Sequence, residues 1–413
     1  MKIEEAVPQE ARSSGSKTGN AHPGPRPEYS GTAYAAMQTI RVALVTNTPP
    51  PYRIPVFKRF AQMPGITFHA IFCTRREPNR LWDLPPLEFD HVFLKERYHE
   101  VGGRYIHNNP DVIGALRRFA PDIVITDGFN PTHLYAFAYA AAKGLVHIAM
   151  TDGTDVSEQG LSRIHRAVRR IVYARTAAFC PASVGGERHY EAYGITADRC
   201  FKSCLCIDNH AFTTAPQEAK TWDLMFSGRI EPVKNPMFAL RVAAGAARRL
   251  GRPLRMLVAG AGSLEPEMRR AAADVRDVLD VHFHGYAAQR ELPALYRASR
   301  LFLFPTLWDP WGVVANEACA AGLPVIVTPE AGVAGELVRD GENGYVRALD
   351  EVAWTDGIAA ILADPLLEET FSRRSMSLVQ EYTFDHAAQG LLDACRFALG
   401  GPRGVPQAGG SPG

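Results

Sequence analysis

Short apolar runs alternate with longer amphipathic stretches along almost the whole chain. The first run, TIRVALVTN (39–47), is β-branched and ends in the turn TPPP, so it predicts a strand. A helical stretch, IPVFKRFAQM, follows it, and then a second strand, ITFHAIFCT. PDVIGALRRFA reads as helix, DIVITD as strand, THLYAFAYAAAKG as helix and VHIAMTD as strand. This alternation predicts a parallel sheet covered by helices on both faces. The pattern then restarts. WDLMFSGRI (222–230) is a strand ending in Gly-Arg, and NPMFALRVAAGAARRLG is a helix with Pro near its start and Gly at its end. RMLVAGAG, SLEPEMRRAAAD, DVHFHGY, RELPALYRAS, LFLFPT, WGVVANEACAAG and PVIVT continue a second doubly wound sheet.

Between the two series lies CFKSCLCIDNHAFTTAPQEAK (200–220), linker-like in its latter half, which places a domain boundary near 210. The expected organisation is a disordered tail over 1–38 and a first Rossmann-like domain over 39–210. A second such domain follows over 211–384, then a helix over 385–400 beyond the second sheet and a tail over 401–413. Both tails are rich in Gly, Pro and Ser.

A length of 413 residues fits this two-domain division. The net charge of +1 gives no electrostatic footprint for nucleic acid. Seven cysteines in so long a chain are too sparse for a disulfide scaffold, so a reducing cytoplasm is expected. Residues 1–38 hold no apolar core segment of a secretory signal. The most apolar run, 134–150, is interrupted by Lys143 and Gly144 and is too short to span a membrane.

Ligands of doubly wound sheets bind at the carboxyl ends of the strands, so two facing sheets surround one cleft. FSGRIEPVKNP places Arg229 and Lys234 after the first strand of the second domain. The planar fork of Arg and the point charge of Lys suit a pyrophosphate; ordinary surface cations are the plain alternative. VAGAGSLEPE sets Gly260 and Gly262 in the next strand-to-helix turn. Glu265 stands where a dinucleotide fingerprint needs its third glycine, so a tight turn is the preferred reading, with backbone N–H groups close to a ligand.

LWDPWGVVANEACAAGLPVIVT (307–328) is more informative. A helix starting near Pro310–Gly312 would aim its positive end into the cleft, where a diphosphate would sit, with Trp311 and Val313 flanking Gly312. Glu317, in the second turn, can accept from two adjacent ribose hydroxyls. The plain alternatives are a helix cap with Pro at the first position for Asp309, and an exposed helix face for Glu317. The small-residue run ACAAG argues against the latter.

Together, FSGRIEPVKNP, VAGAGSLEPE, HFHGY, ELPALYRASRLFLFPTLWDPWGVVANEACAAGLPVIVT, AGVAGELVRDGENGYV and YTFDHAA span about 220–387. In this order they resemble the family 4 (group 1) glycosyltransferases, whose fold is GT-B. The first half resembles them more weakly, through LVTNTPPPYRIPVF. The resemblance implies metal-independent, retaining transfer of a sugar from a nucleotide diphosphate sugar, with UDP the default base. It maps the family's diphosphate-binding Arg and Lys onto Arg229 and Lys234, and its pair of acids onto Asp309, at the donor sugar, and Glu317, at the ribose. Asp replaces the family's Glu at the first acid, and Pro310 removes one backbone N–H. Where many members carry a His near the reacting carbon, IAMTDGT offers Asp152 as a sugar or acceptor contact. Arg53 in PPPYRIP is the first-loop candidate for phosphate or acceptor.

The expected catalytic set is therefore Asp309, Asp152, Arg229 and Lys234, with no metal and no cofactor. The acceptor is a glycan, glycolipid or secondary metabolite. A GT-B nucleotide-sugar epimerase and a non-catalytic nucleotide-sugar-binding partner protein are the alternatives. Cys200, Cys204, Cys206 and His210 cluster in sequence without the spacing of a zinc site, and buried strand thiols are expected. In LSRIHRAVRRIVYAR (161–175), Arg163, Arg166, Arg169 and Arg170 oppose Leu161, Ile164, Val168 and Ile171. Such a helix either docks peripherally on anionic lipid at the inner face of a membrane or turns its apolar side to the core.

Overall fold

A computed structural model describes residues 39–400, apart from 79–83, 85, 103, 158 and 214–219. The two expected tails lie outside the described residues, as do residues 214–219 of the linker-like stretch. The first lobe begins with β1 (Ile40–Thr46), α1 (Ile54–Ala61), β2 (Ile66–Phe72) and β3 (His91–Phe93). An antiparallel hairpin, β4 (Tyr98–Val101) and β5 (Arg104–His107), follows. Then come α2 (Val112–Phe119), β6 (Ile123–Thr126), α3 (Pro131–Lys143), β7 (Val146–Thr151), α4 (Arg163–Tyr173), β8 (Ala178–Pro181) and α5 (Val184–Glu191). The sheet is parallel in the order β3-β2-β1-β6-β7-β8.

The second lobe holds α6 (Asn209–Thr213), β9 (Trp222–Ser227), α7 (Pro236–Leu250), β10 (Leu254–Ala259), α8 (Glu265–Asp274), β11 (Leu279–Gly285) and α9 (Leu292–Arg297). It continues with β12 (Ser299–Phe304), α10 (Val313–Ala320), β13 (Val325–Val327), β14 (Gly344–Val346), α11 (Glu351–Ala363) and α12 (Pro365–Leu378). Its parallel order, β11-β10-β9-β12-β13-β14, repeats that of the first lobe. Strand order reverses between β1 and β6 and again between β9 and β12. These are the crevices where the loops at the carboxyl ends splay apart and a ligand can enter.

Local sequence explains these elements. β1, β6 and β12 are buried on both faces, which is why they read as continuous apolar runs. α7 starts on Pro236 and stops at Gly251, whose left-handed backbone lets its N–H return to Ala247 and Arg248. Its inward face is mostly alanine, so it lies close against α11.

The final helix, α13 (Phe384–Gly400), does not stay with the second sheet; it packs on α1, β7 and β8 of the first lobe. Leu391, Leu392 and Cys395 enter one apolar cluster with Val42, Ile125 and Cys180. The stretch just before the boundary is packed into the core. Cys204–Ile207 is buried in the same cluster, in backbone that belongs to no strand, and Asn209 donates to the carbonyls of Val379 at 3.0 Å and Tyr382 at 3.2 Å. The seven cysteines are free thiols, and no group that could hold a metal is found among the described residues.

On α4 the inward residues are Arg169, Val172 and Tyr173, not the isoleucines. Tyr173 selects this face by packing against Phe129, Phe179, Tyr190 and Tyr193, and the Arg169 guanidinium lies over the Phe129 ring.

Candidate active site

The second-lobe residues singled out in the sequence meet at one edge of its sheet, around the β9/β12 crevice. Arg229 follows β9 and is exposed, and its guanidinium makes no hydrogen bond or ion pair among the described residues. Glu231 beside it is turned away: its carboxylate accepts from the Ser263 N–H at 2.9 Å and hydroxyl at 2.6 Å, which with Arg229 holds its pKa below the usual value. Lys234 closes a single 3-10 turn, Pro232–Lys234, and Asn235 reverses the chain in left-handed backbone before α7 begins. This turn aims the Lys234 ammonium across the crevice, where it pairs with Asp309. The two side chains are 18% and 15% exposed, so the pair is largely shielded but open on one side.

Asp309 is not the cap of the following helix. Its second oxygen accepts from the Trp311 N–H at 3.0 Å, closing a tight turn, and α10 begins at Val313 with Gly312 as its N-cap. Gly312 sits at φ +103°, and a Cβ there would collide with the Phe304 ring, so only glycine fits. Having no side chain, Gly312 leaves the first N–H groups of α10, including that of half-buried Val313, uncapped at the mouth of the crevice. Asp309 is also fixed from behind: Gly332 N–H donates to its carbonyl at 2.9 Å and Val333 N–H to that of Trp311 at 3.1 Å.

Trp311 departs from the expected ligand contact. Its indole is buried, donates to Asn316 at 2.8 Å and lies against Tyr382. It anchors the loop. Gly260 and Gly262 follow the tight-turn reading: any Cβ would run into the carbonyls of Gly228 and Ile230, so they let the β10 loop press against the loop bearing Arg229.

Glu317 is buried on α10, and burial pushes its carboxyl up to about 7, against the opposing help of hydrogen bonds from Tyr296 and Gln289. The Tyr296 hydroxyl donates to it at 2.9 Å. Tyr296, on α9, is a partner that sequence reading missed, because an aromatic in RELPALYRAS is indistinguishable from a core residue. Glu336 was missed too. It accepts from Lys202, from the Val184 N–H at 2.8 Å and from the Tyr382 hydroxyl at 3.2 Å, joining the two lobes behind the Asp309 loop.

The first lobe contributes Asp152, just past β7 and 36% exposed, paired with Arg53. Arg53 itself is enclosed at 2% exposure. Its guanidinium also donates to the Ser203 carbonyl at 2.9 Å, the Ser203 hydroxyl at 3.1 Å and the Cys204 carbonyl at 3.2 Å. Burial works against its charge, Asp152 outweighs that, and the pKa stays above the usual value. Arg53 thus stands behind Asp152 rather than at a ligand surface. A hollow of about 540 Å³ along α5, lined by Glu187, Arg188 and Glu191, contains none of these residues.

Residues 211–377 match the family described as "Glycosyl transferases group 1". This stretch, most of the C-terminal lobe, is thus similar to a group 1 glycosyltransferase domain. Among curated relatives it is similar to the D-inositol 3-phosphate glycosyltransferases of Nocardia farcinica (33% identical over 181 residues) and Acidothermus cellulolyticus (30% over 184). These matches cover 42% and 43% of this chain and 40% and 41% of the relatives. The fold likeness runs much further than the sequence likeness. A structure of Anabaena Alr3699/HepE in complex with UDP and glucose superposes with a TM-score of 0.67 at 14% identity, covering 86% of this chain and 99% of that one. Sucrose-phosphate synthase from Thermosynechococcus elongatus gives 0.63 at 16%, covering 88% and 100%. The two lobes together form the expected GT-B fold.

Proposed function

We propose that the chain is a retaining family 4 glycosyltransferase that moves a sugar from a nucleotide diphosphate sugar to a hydroxyl of a glycan, glycolipid or secondary metabolite. The observation that carries this reading is the arrangement at one crevice: the exposed Arg229 guanidinium, the Lys234–Asp309 pair and the uncapped start of α10, with Glu317 buried one to two turns behind. A diphosphate has three positive groups to meet, and Glu317 lies at the depth of a ribose. Asp309 then faces the sugar. As the glycosidic bond to the diphosphate breaks, Arg229, Lys234 and the helix start stabilise the growing charge, and the sugar carbon becomes oxocarbenium-like. Asp152, held by Arg53, contacts sugar or acceptor from the other lobe, and closure of the lobes excludes water.

UDP is the preferred base, supported by the UDP in the Anabaena relative's structure. The free thiols agree with a reaction in the reducing cytoplasm. A thermal-shift panel of nucleotide diphosphates, then product analysis with and without acceptor lysate, tests the reading. Stabilisation by one nucleotide with acceptor-dependent product supports transfer. Acceptor-free conversion of the sugar would make the chain an epimerase, and binding without any product would make it a silent partner.

A further inference from the structure

The outward face of α4 combines features that rarely occur together on a solvated helix. Ile164, Ala167, Ile171 and Ala174 follow one another at helical spacing and are all exposed, the isoleucines at 76% and 60%. Along one edge of this stripe run Arg163, Arg166 and Arg170, and Arg175 stands just beyond the helix end; all four are exposed. None of the four has an ion-pair partner among the described residues, and the sequence holds no Asp or Glu from Gln159 to Gly186. The packing of the lobe does not require this face. Tyr173, Val172 and the stem of Arg169 already fill the inward side, and Ser162 caps the start.

We propose that this face of α4 is a docking surface for an anionic lipid bilayer, with the isoleucine stripe entering the acyl boundary and the arginines meeting the headgroup charge. Charge complementarity selects this occupant. An apolar stripe rimmed by cations without ion-pair partners among the described residues, in a stretch with no Asp or Glu from 159 to 186, matches a surface that is apolar below and anionic above. A soluble protein partner needs no such uniform sign. No described helix is long and apolar enough to cross a membrane, so the contact is one of lying on the surface. The loop leaving Asp152 runs directly into α4, so docking would tie the first lobe's edge of the crevice to the membrane plane. The surface is separate from the donor site and stands whether or not the transferase reading does.

The test is co-sedimentation of the full chain with vesicles of phosphatidylcholine alone and of phosphatidylcholine with phosphatidylglycerol, at low and high salt. Binding is expected only to the anionic vesicles and falls with salt. I164S/I171S should lower it at least tenfold. R163Q/R166Q/R170Q should lower it on the order of fivefold per arginine and abolish the preference for anionic lipid. Both variants change only exposed side chains, so their melting curves and their nucleotide binding should match the parent; that equality separates loss of docking from damage to the site. Failure of the parent chain to bind anionic vesicles at low salt overturns the proposal. So does binding that neither variant weakens, or lipid-free self-association that I164S/I171S abolishes, which would make the face an interface between copies.

Discussion

Glu317 offers a measurement in which burial and ligand recognition oppose each other. Its carboxyl lies at about 7 against an ordinary value of 4.5, because it is enclosed among α9 and α10. At roughly 1.4 kcal/mol per pH unit, that displacement corresponds to about 3 kcal/mol. The sign follows from proton counts. Below pH 4.5 the group is neutral folded and unfolded. Between 4.5 and 7 the folded chain holds the extra proton, so stability falls as pH rises, and above 7 the full cost of the buried charge is present. Glu317→Gln keeps an acceptor for Tyr296 and removes the charge. Its advantage over the parent in urea unfolding should therefore grow by roughly 2–3 kcal/mol between pH 5 and pH 8. Donor binding should run the other way. Ribose hydroxyls donate to a carboxylate best when it is ionised, so affinity of the parent for the intact nucleotide sugar should rise from pH 6 to pH 8, with a proton released on binding. The variant should bind more weakly and without that slope. Intact donor is the right probe, since the terminal phosphate of a free nucleotide diphosphate titrates in the same range. A stability difference that is constant with pH, or a flat donor affinity in the parent, would refute this reasoning.

Arg229→Ala and Lys234→Ala should both weaken nucleotide diphosphate binding by roughly 1.5–3 kcal/mol in calorimetry. They should differ in stability: Arg229 is exposed and its loss leaves the melting temperature in place, whereas loss of Lys234 strands the shielded Asp309 and should cost on the order of 1–3 kcal/mol. Asp152→Asn leaves the buried Arg53 charge without its counter-ion and should lower stability by about 3–5 kcal/mol, read by urea unfolding. Arg53→Met/Asp152→Asn, which removes both charges, should recover most of that stability while turnover stays low.

The two-sheet plan was legible because strands buried on both faces are continuous apolar runs, as LFLFPT and DIVITD are. The short strands β3, β8 and β14 were not, since their three or four residues do not stand out as an apolar β-branched run the way IVIT of β6 and VIV of β13 do. Arg229, Lys234, Asp309 and Glu317 could be placed together because each sits at a fixed offset from a strand end. Trp311 could not be told from a ligand contact, for an indole serves core and cleft equally well. Arg53 and the isoleucines of α4 show the converse. A helix with two candidate faces is oriented by its neighbours, here by an aromatic cluster drawn from Phe129, Phe179 and Tyr190. Nothing in residues 161–175 specifies that cluster.

The seat that α13 takes on the first lobe bears on the order in which the protein is made. Residues 39–207 leave the ribosome before the second lobe, yet the apolar surface across α1, β7 and β8 is covered in part by Phe384–Gly400, which follows the second lobe in the chain. The leading lobe therefore waits, with that surface open, until the trailing lobe has emerged and its final helix has doubled back. A ribosome stalled near the middle of the message would release a fragment whose core is unfinished, and a chaperone that holds nascent apolar surface would find its substrate there. Once α13 is seated, the backbone crosses between the lobes twice. Relative movement is then confined to an arc about those two crossings, and neither lobe can drift off on a tether.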